Sequence, residues 1–376
     1  MKRLVYADNA ATTQMDTKAF EAMKPYLLQE YGNASQPYSF SRQPKKAIQE
    51  ARETIASCIG ALPEEILFTS GGTESDNWAI KGTAFRNYNY RTTITTAFEH
   101  HAVLHACEAI ERLKYPVAYM WPDKNGTITP DELARHITDE TLLVSVMYAN
   151  NEIGSIQPIK ELCAIAHEHR AIFHTDAVQA VGHVKIDVND LGVDMLSASA
   201  HKFNGAKGVG FLYIRKGTLI SAYADGGVQE RGLRAGTENV AGIVSMAIAL
   251  KENIKALKEN QEHVFRLENK LLSRLSEIGI PFVRNGGDHT LPGIISLSFD
   301  GRDGEAILHR MDLMGISIST GSACDSKNTE ISHVLQAIHL PDSLAKGTIR
   351  ISLGKNNTED DVDAIVAGLK KILAKR

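Results

Sequence analysis

The sequence predicts an α/β fold in which a largely parallel sheet is covered by helices on both faces and is followed by a smaller α/β unit. Three observations predict it. From about residue 51 to residue 214, short apolar runs alternate with amphipathic stretches, which is the pattern of repeated strand–helix–strand units. A run with no proline, from Val240 to about Ile278, then precedes a second and shorter alternation. The length, 376 residues, exceeds that of one typical domain and fits two cores better than one.

The apolar runs Ile66–Thr69, Thr92–Thr96, Leu142–Met147, Ile172–Thr175, Met195–Ala198 and Val209–Ile214 read as buried strands. Helix starts lie between them. Thr129-Pro130-Asp131-Glu132 is a capping box with proline at the first helical position, and Ile159 to His169 follows Pro158. Val240–Ile278 is apolar at helical spacing with a charged middle, and a run without an interior stop can bridge two domains. Beyond it come strand Ile294–Phe299, helix Gly304–Met314, strands Ile316–Ser319 and Thr348–Ser352, and helix Glu359–Lys371.

Composition narrows the function. Lys+Arg 41 against Asp+Glu 45 gives a net charge of −4, so no basic field for nucleic acid is present. No apolar run approaches the ~20 residues that cross a bilayer, and Leu4 to Ala7 is too short for a signal-peptide core, so the cytoplasm is the expected compartment. Cys58, Cys107, Cys163 and Cys324 are far apart, without the spacing of a zinc site or a disulfide framework. The first three sit in helical patterns and read as packing. Cys324 lies among small polar residues, Ser319-Thr320-Gly321-Ser322-Ala323-Cys324-Asp325-Ser326, and is the nucleophile candidate.

Three further segments carry chemistry. Ser70-Gly71-Gly72-Thr73-Glu74-Ser75-Asp76 joins a strand to a helix, where glycine backbone and helix dipole favour a phosphate. Its competing reading is an ordinary turn with a capping box from Thr73 to Asp76. No Walker lysine follows the glycines, so a nucleotide loop is disfavoured, and no cluster of ligands points to a metal. His174-Thr175-Asp176-Ala177-Val178-Gln179 places a carboxylate at a strand end, suited to a cationic nitrogen or to capping. Ser197-Ala198-Ser199-Ala200-His201-Lys202 puts a lysine just past a buried strand, where a lowered pKa would suit Schiff-base chemistry; a snorkelling surface lysine is the alternative.

Together these segments resemble the NifS/IscS-like cysteine desulfurases of the class V aminotransferase family, pyridoxal-phosphate enzymes of fold type I. The resemblance runs from Tyr6-Ala7-Asp8-Asn9-Ala10-Ala11-Thr12-Thr13 to Ile349-Arg350-Ile351-Ser352-Leu353-Gly354, nearly the whole chain. It implies a seven-stranded, mostly parallel sheet in a large domain, 16–255, and a small domain, 256–376, on which residues 1–15 pack. It implies pyridoxal 5'-phosphate on Lys202, which would later move protons, Asp176 at the ring nitrogen, Gln179 at the ring hydroxyl, Asn151 near that oxygen and the substrate, and His100 stacked on the ring as a proton shuttle. Gly72, Thr73, Ser199 and His201 would hold the phosphate, with Thr237 reaching in from the partner of a homodimer. Arg350 would take the substrate carboxylate. Cys324 would receive sulfur from L-cysteine as a persulfide, release L-alanine, and pass the sulfur to an acceptor protein in iron–sulfur assembly or in tRNA or cofactor thiolation. A selenocysteine lyase or another class V aminotransferase or lyase is the alternative.

The chain departs from the family pattern in three places: Tyr38 where a histidine is usual, Ala206 where proline is common, and Val228 within a run of glycines.

Overall fold

The computed structural model describes residues 4–86, 91–320 and 331–374. Its central sheet has seven strands among these residues: β2 (Ile66–Thr69), β3 (Thr92–Thr96), β4 (Val117–Met120), β5 (Thr141–Ser145), β6 (Ile172–Asp176), β7 (Met195–Ser199) and β8 (Gly210–Ile214). They lie in the order β2-β8-β7-β6-β5-β3-β4. Only β8 runs against the rest, pairing antiparallel with both β2 and β7. The residues of β2, β5, β7 and β8 are buried throughout, which is why their sequences read as continuous apolar or small-residue runs rather than alternating ones.

Helices cover both faces. Helix Arg42–Ile59 buries Ala47, Ile48, Ala51, Ile55, Ala56 and Ile59 at helical spacing and ends at Gly60, whose φ of 73° suits a left-handed cap. The Thr129 hydroxyl caps helix Pro130–His136 by accepting from Glu132 N–H at 3.2 Å. Strand β4 has no counterpart among the predicted runs, because it is an edge strand whose Val117, Ala118 and Tyr119 are only half-buried.

The long proline-free run is two helices, Val240–Lys255 and Leu257–Glu277, separated at Ala256 (φ −100°, ψ 13°). A sequence with no proline or glycine at the joint does not announce this break; packing against two different cores accounts for it. The first helix packs on the large sheet's core through Ile243, Met246, Ala247 and Leu250. The second directs Val264, Leu267, Leu271 and Leu275 into a separate core. That core also contains residues from β10 (Ile294–Ser298), β12 (Thr348–Ser352) and helix Glu359–Leu373. Strand β9 (Val283–Asn285) completes an antiparallel sheet in the order β12-β10-β9. β1 (Val5–Tyr6) pairs parallel with β11 (Ile316–Ser317), and Ser352 N–H donates to the Ala7 carbonyl at 2.8 Å. The N-terminal segment is thereby stitched to this second unit.

Candidate active site

Six strands of the large sheet share a direction, so their carboxyl ends open on one side, the usual place for a ligand crevice in such folds. Ser70–Thr73 follows β2, Glu99 and His100 follow β3, and Asn151 follows β5. Asp176 ends β6, and Ser199 ends β7 just before Lys202. Gly72, Thr73, His100, Asn151, Asp176, Gln179, Ser199, His201, Lys202 and Arg350 all line a single cavity of about 600 Å³. Residues separated by up to 278 positions (350 − 72) are thus brought together by topology.

Lys202 sits in a short 3-10 turn after β7. Its Nζ donates to the carbonyls of Ala10 and Ala11, so the N-terminal segment forms part of its wall. Asp176 is buried, and one carboxylate oxygen accepts from Val178 N–H at 2.9 Å. Both readings of Asp176 therefore coexist: the side chain caps the following turn and faces the cavity. Burial pushes its carboxyl up to about 6, against the pull of the Val178 N–H and Lys202. His100 is the N-cap of helix His101–Arg112, its Nδ1 accepting from Ala102 N–H at 3.1 Å. Burial, then the charge of Lys202, lowers His100 to about 4, leaving a neutral imidazole with its Nε2 protonated. Burial and Lys202 likewise lower His201 to about 4.

The glycine turn has the form of an anion cradle. Gly71 has φ 149°, and a Cβ on Gly72 would meet Val178 Cγ2 at 2.5 Å. Backbone N–H groups at the start of helix Gly72–Arg86 therefore approach the cavity without side chains in the way. The capping reading of this turn is corrected: Glu74, not Asp76, reaches back, accepting from Ser70 N–H at 3.1 Å and from Ser70 Oγ at 2.5 Å. Asp76 is buried beside the cavity instead.

Arg350 is buried on β12. Its Nη1 donates to the Asn151 carbonyl and its Nη2 to Asp8 Oδ1, both at 2.8 Å, and Nε has no hydrogen-bond partner. Asp8 stands in the Tyr6–Thr13 segment, whose residue types alone give it no role; the fold makes it the arginine's counter-ion. Thr237 does not line this cavity. It lies in an adjoining hollow with Ser70, Gly208 and Arg234.

Cys324 lies outside the described residues. On the near side of that segment, Ser319 forms an antiparallel bridge with Arg350. On the far side, Ser332 Oγ donates to Glu152 Oε2 at 2.6 Å, and His333 Nε2 contacts the Glu99 carbonyl at 2.9 Å. The other cysteines behave as packing groups. Burial raises the Cys58 thiol to about 11 and that of Cys163 to about 12, and burial drives Cys107 further still, which removes the thiolate needed for reactivity.

Two of the departures fall on exposed positions, Tyr38 and Val228. At the third, Ala206 retains an N–H that donates to Ser245 Oγ at 3.2 Å, a bond proline could not make.

The aminotransferase class-V model matches residues 5–365. The chain belongs to the class-V aminotransferase family. It is 47% identical over 377 aligned residues to a protein named cysteine desulfurase IscS from Dictyoglomus turgidum, covering 100% of this chain and 96% of that one. A solved structure named NifS-like protein superposes with a TM-score of 0.93 at 38% identity, covering 99% of this chain and 100% of the other. A structure titled SspA in complex with cysteine gives a TM-score of 0.85 at 34% identity, covering 94% and 100%. Within the family the chain groups with the NifS/IscS-like cysteine desulfurases.

The family's cofactor is pyridoxal 5'-phosphate, and the donor set suits it. A lysine amine, a strand-end carboxylate, a neutral imidazole and a glycine turn with adjacent hydroxyls converge on one cavity. Such a group needs a covalent anchor, a partner for its ring nitrogen, a stacking face and a phosphate cradle, and these residue types are suited to provide them.

Proposed function

We propose that the protein is a cysteine desulfurase that takes sulfur from L-cysteine, releases L-alanine and holds the sulfur as a persulfide on Cys324. The observation that carries this reading is the convergence of Lys202, Asp176, His100 and the Gly71–Gly72 turn on the cavity that Arg350 also lines. Lys202 would anchor the cofactor, and Asp176 would hold its ring nitrogen. Gln179 and Asn151 would lie at its ring oxygen. Gly72, Thr73, Ser199 and His201 would hold its phosphate. When bound, the cofactor supplies an electron sink that weakens bonds at the substrate's Cα.

The protein's own groups do the rest. Arg350 receives the substrate carboxylate through its planar guanidinium, a pairing in which lysine is a poor substitute. Lys202, with its amine free, would be the base placed to move a proton at Cα. His100, neutral at physiological pH with its proton on Nε2, can give that proton and take it back. The Cys324 thiolate then attacks the substrate sulfur. An S–S bond forms as the C–S bond breaks, and the carbon side takes a proton to become alanine. Ser319 is anchored beside Arg350, and Ser332 on Glu152, next to the cavity-lining Asn151; the described residues flanking the Cys324 segment thus lie close to the cavity, which favours this assignment.

The working form is a homodimer in which Thr237 serves the partner's phosphate site, a reading supported by its position outside this chain's own cavity. The large domain is 16–255 and the small domain 256–376, with residues 1–15 on the latter; the separate core around Leu267, Leu271, Ile295 and Ile351 supports this division, while Val334, Leu335 and Ile338 pack on the large core. The persulfide passes to an acceptor protein in iron–sulfur cluster assembly or in tRNA or cofactor thiolation. A reducing cytoplasm suits a reaction that depends on a free thiol, and no described helix is long and apolar enough to cross a membrane. The decisive experiment is Cys324→Ala. The variant should stay yellow and bind cysteine yet form no protein persulfide by mass spectrometry. Undiminished sulfur release would assign the protein to a lyase chemistry in which Cys324 has no part.

A further inference from the structure

Beneath the cavity, β6 presents His174 and Asp176 on one face, two residues apart along the strand. Neighbouring strands add hydroxyls to the same face: Ser145 Oγ lies 2.9 Å from His174 Nδ1, and Ser197 Oγ lies 2.9 Å from His174 Nε2. Helix Gly72–Arg86 closes over this polar seam and contributes Asp76. That side chain is 1% exposed. Its Oδ1 lies 3.7 Å from His174 Nε2 and has no hydrogen-bond partner. Asp76 and Asp176 line the same cavity.

Two carboxylates cannot share so dry a place at full charge. The cations able to offset them are few. His174 is wholly buried, and burial lowers it to about 3, so it stays neutral. Lys202 acts on Asp176. Glu99, also wholly buried, adds to the repulsion felt by Asp76 wherever it ionises, which burial delays to about pH 8. Burial first, then the charge of Asp176, raises Asp76 well above the ordinary carboxylate range. Of the pair, Asp176 has the Val178 N–H and the charge of Lys202 to favour its charged form, against the neutral Ser197 hydroxyl for Asp76.

We propose that Asp76 and Asp176 form a two-carboxyl unit carrying one proton, in which Asp76 is the positioning residue that holds the proton and Asp176 is the anion offered to the cofactor's ring nitrogen. This rests on the cofactor reading given above and deepens it. The unit presents one negative charge to the ring, not two. It also contains a reserve anion: once Asp176 is neutral, the charge that repels ionisation of Asp76 is gone.

The first test is infrared spectroscopy at neutral pH without cofactor. A protonated-carboxyl C=O band, measured in a Glu99→Gln background to remove the band of the wholly buried Glu99, should disappear on adding Asp76→Asn. A spectrum in which no acid band is lost overturns the proposal. Should Asp76→Asn fail to fold, the band is titrated in Glu99→Gln alone; the proposal requires an acid band that persists above pH 7, and its absence there overturns it. The second test is a double-mutant cycle on pyridoxal 5'-phosphate affinity, read by equilibrium dialysis. Adding Asp76→Asn to Asp176→Asn should cost at least tenfold more affinity than Asp76→Asn costs alone. Additive losses would show that the two carboxyls are not a unit. If the wild-type protein binds no pyridoxal phosphate, the functional reading itself has failed, an outcome separate from both.

Discussion

The guanidinium of Arg350 is paired with Asp8: Nη2 donates to Asp8 Oδ1 at 2.8 Å, with the arginine buried on β12. The group proposed to receive the substrate carboxylate therefore already holds one. Substrate must exchange with that pair or use the remaining donors, among them the unpartnered Nε. Asp8→Asn removes the competing charge while its amide oxygen can still orient the arginine. The KM for cysteine should fall by roughly three- to tenfold, in line with a charge-assisted hydrogen bond worth about 1.5–3 kcal/mol, only part of which is recovered. Steady-state alanine production measures it, and a raised KM would mean that the ion pair positions Arg350 more than it competes. Arg350→Lys should raise KM by about 10- to 100-fold through loss of the bidentate fork.

Gly72 is required by space. A Cβ there would meet Val178 Cγ2 at 2.5 Å, and the β-branched Val178 has little room to yield. Gly72→Ala should leave the fold intact by circular dichroism and weaken pyridoxal phosphate binding by about tenfold or more, because backbone donors at the helix start are pushed off the anion. Unchanged affinity would place the phosphate elsewhere.

Of the two described lysines that line the cavity, Lys202 and Lys207, it is Lys202 whose Nζ sits against the Ala10 and Ala11 carbonyls. Lys202→Ala should lose its visible absorbance on dialysis, while the wild-type protein keeps it. A variant that remains yellow after extensive dialysis would refute the anchor.

Glu99 is wholly buried; one oxygen accepts from Thr96 Oγ1 at 2.8 Å and from Met147 N–H at 2.9 Å, and the other has no partner. Burial raises its carboxyl from 4.5 to about 8. The folded protein then binds more protons than the unfolded chain between those values, so this contribution to stability is present below pH 4.5 and is lost as pH rises through 8. Glu99→Gln removes the titration. Its stability relative to wild type should improve with pH across that window, with a slope of at most about 1.4 kcal/mol per pH unit, the limit for one proton. Denaturant melts at several pH values measure it; parallel curves would contradict it.

Much of the fold was legible locally. The run Ile66–Thr69 and the run Thr92–Thr96 are strands with those bounds, since buried strands leave an unbroken apolar or β-branched record. The half-buried β4 leaves no such record, and the break at Ala256 carries no helix stop. The site divides in the same way. Lys202, Asp176 and the Gly71–Gly72 turn stand in short segments whose residue types imply their chemistry, because each does its work within a few residues of a strand end. Asp8, Asp76 and Glu99 were silent. Their roles depend on what faces them across the fold: Arg350 from 342 positions away, His174 from a neighbouring strand, and a dry interior that raises a carboxyl's pKa. By itself, the sequence determined the strand ends and the groups placed on them. Tertiary structure alone decided which charges meet and how dry their meeting place is, because desolvation and pairing are properties of the packed chain and not of any local segment.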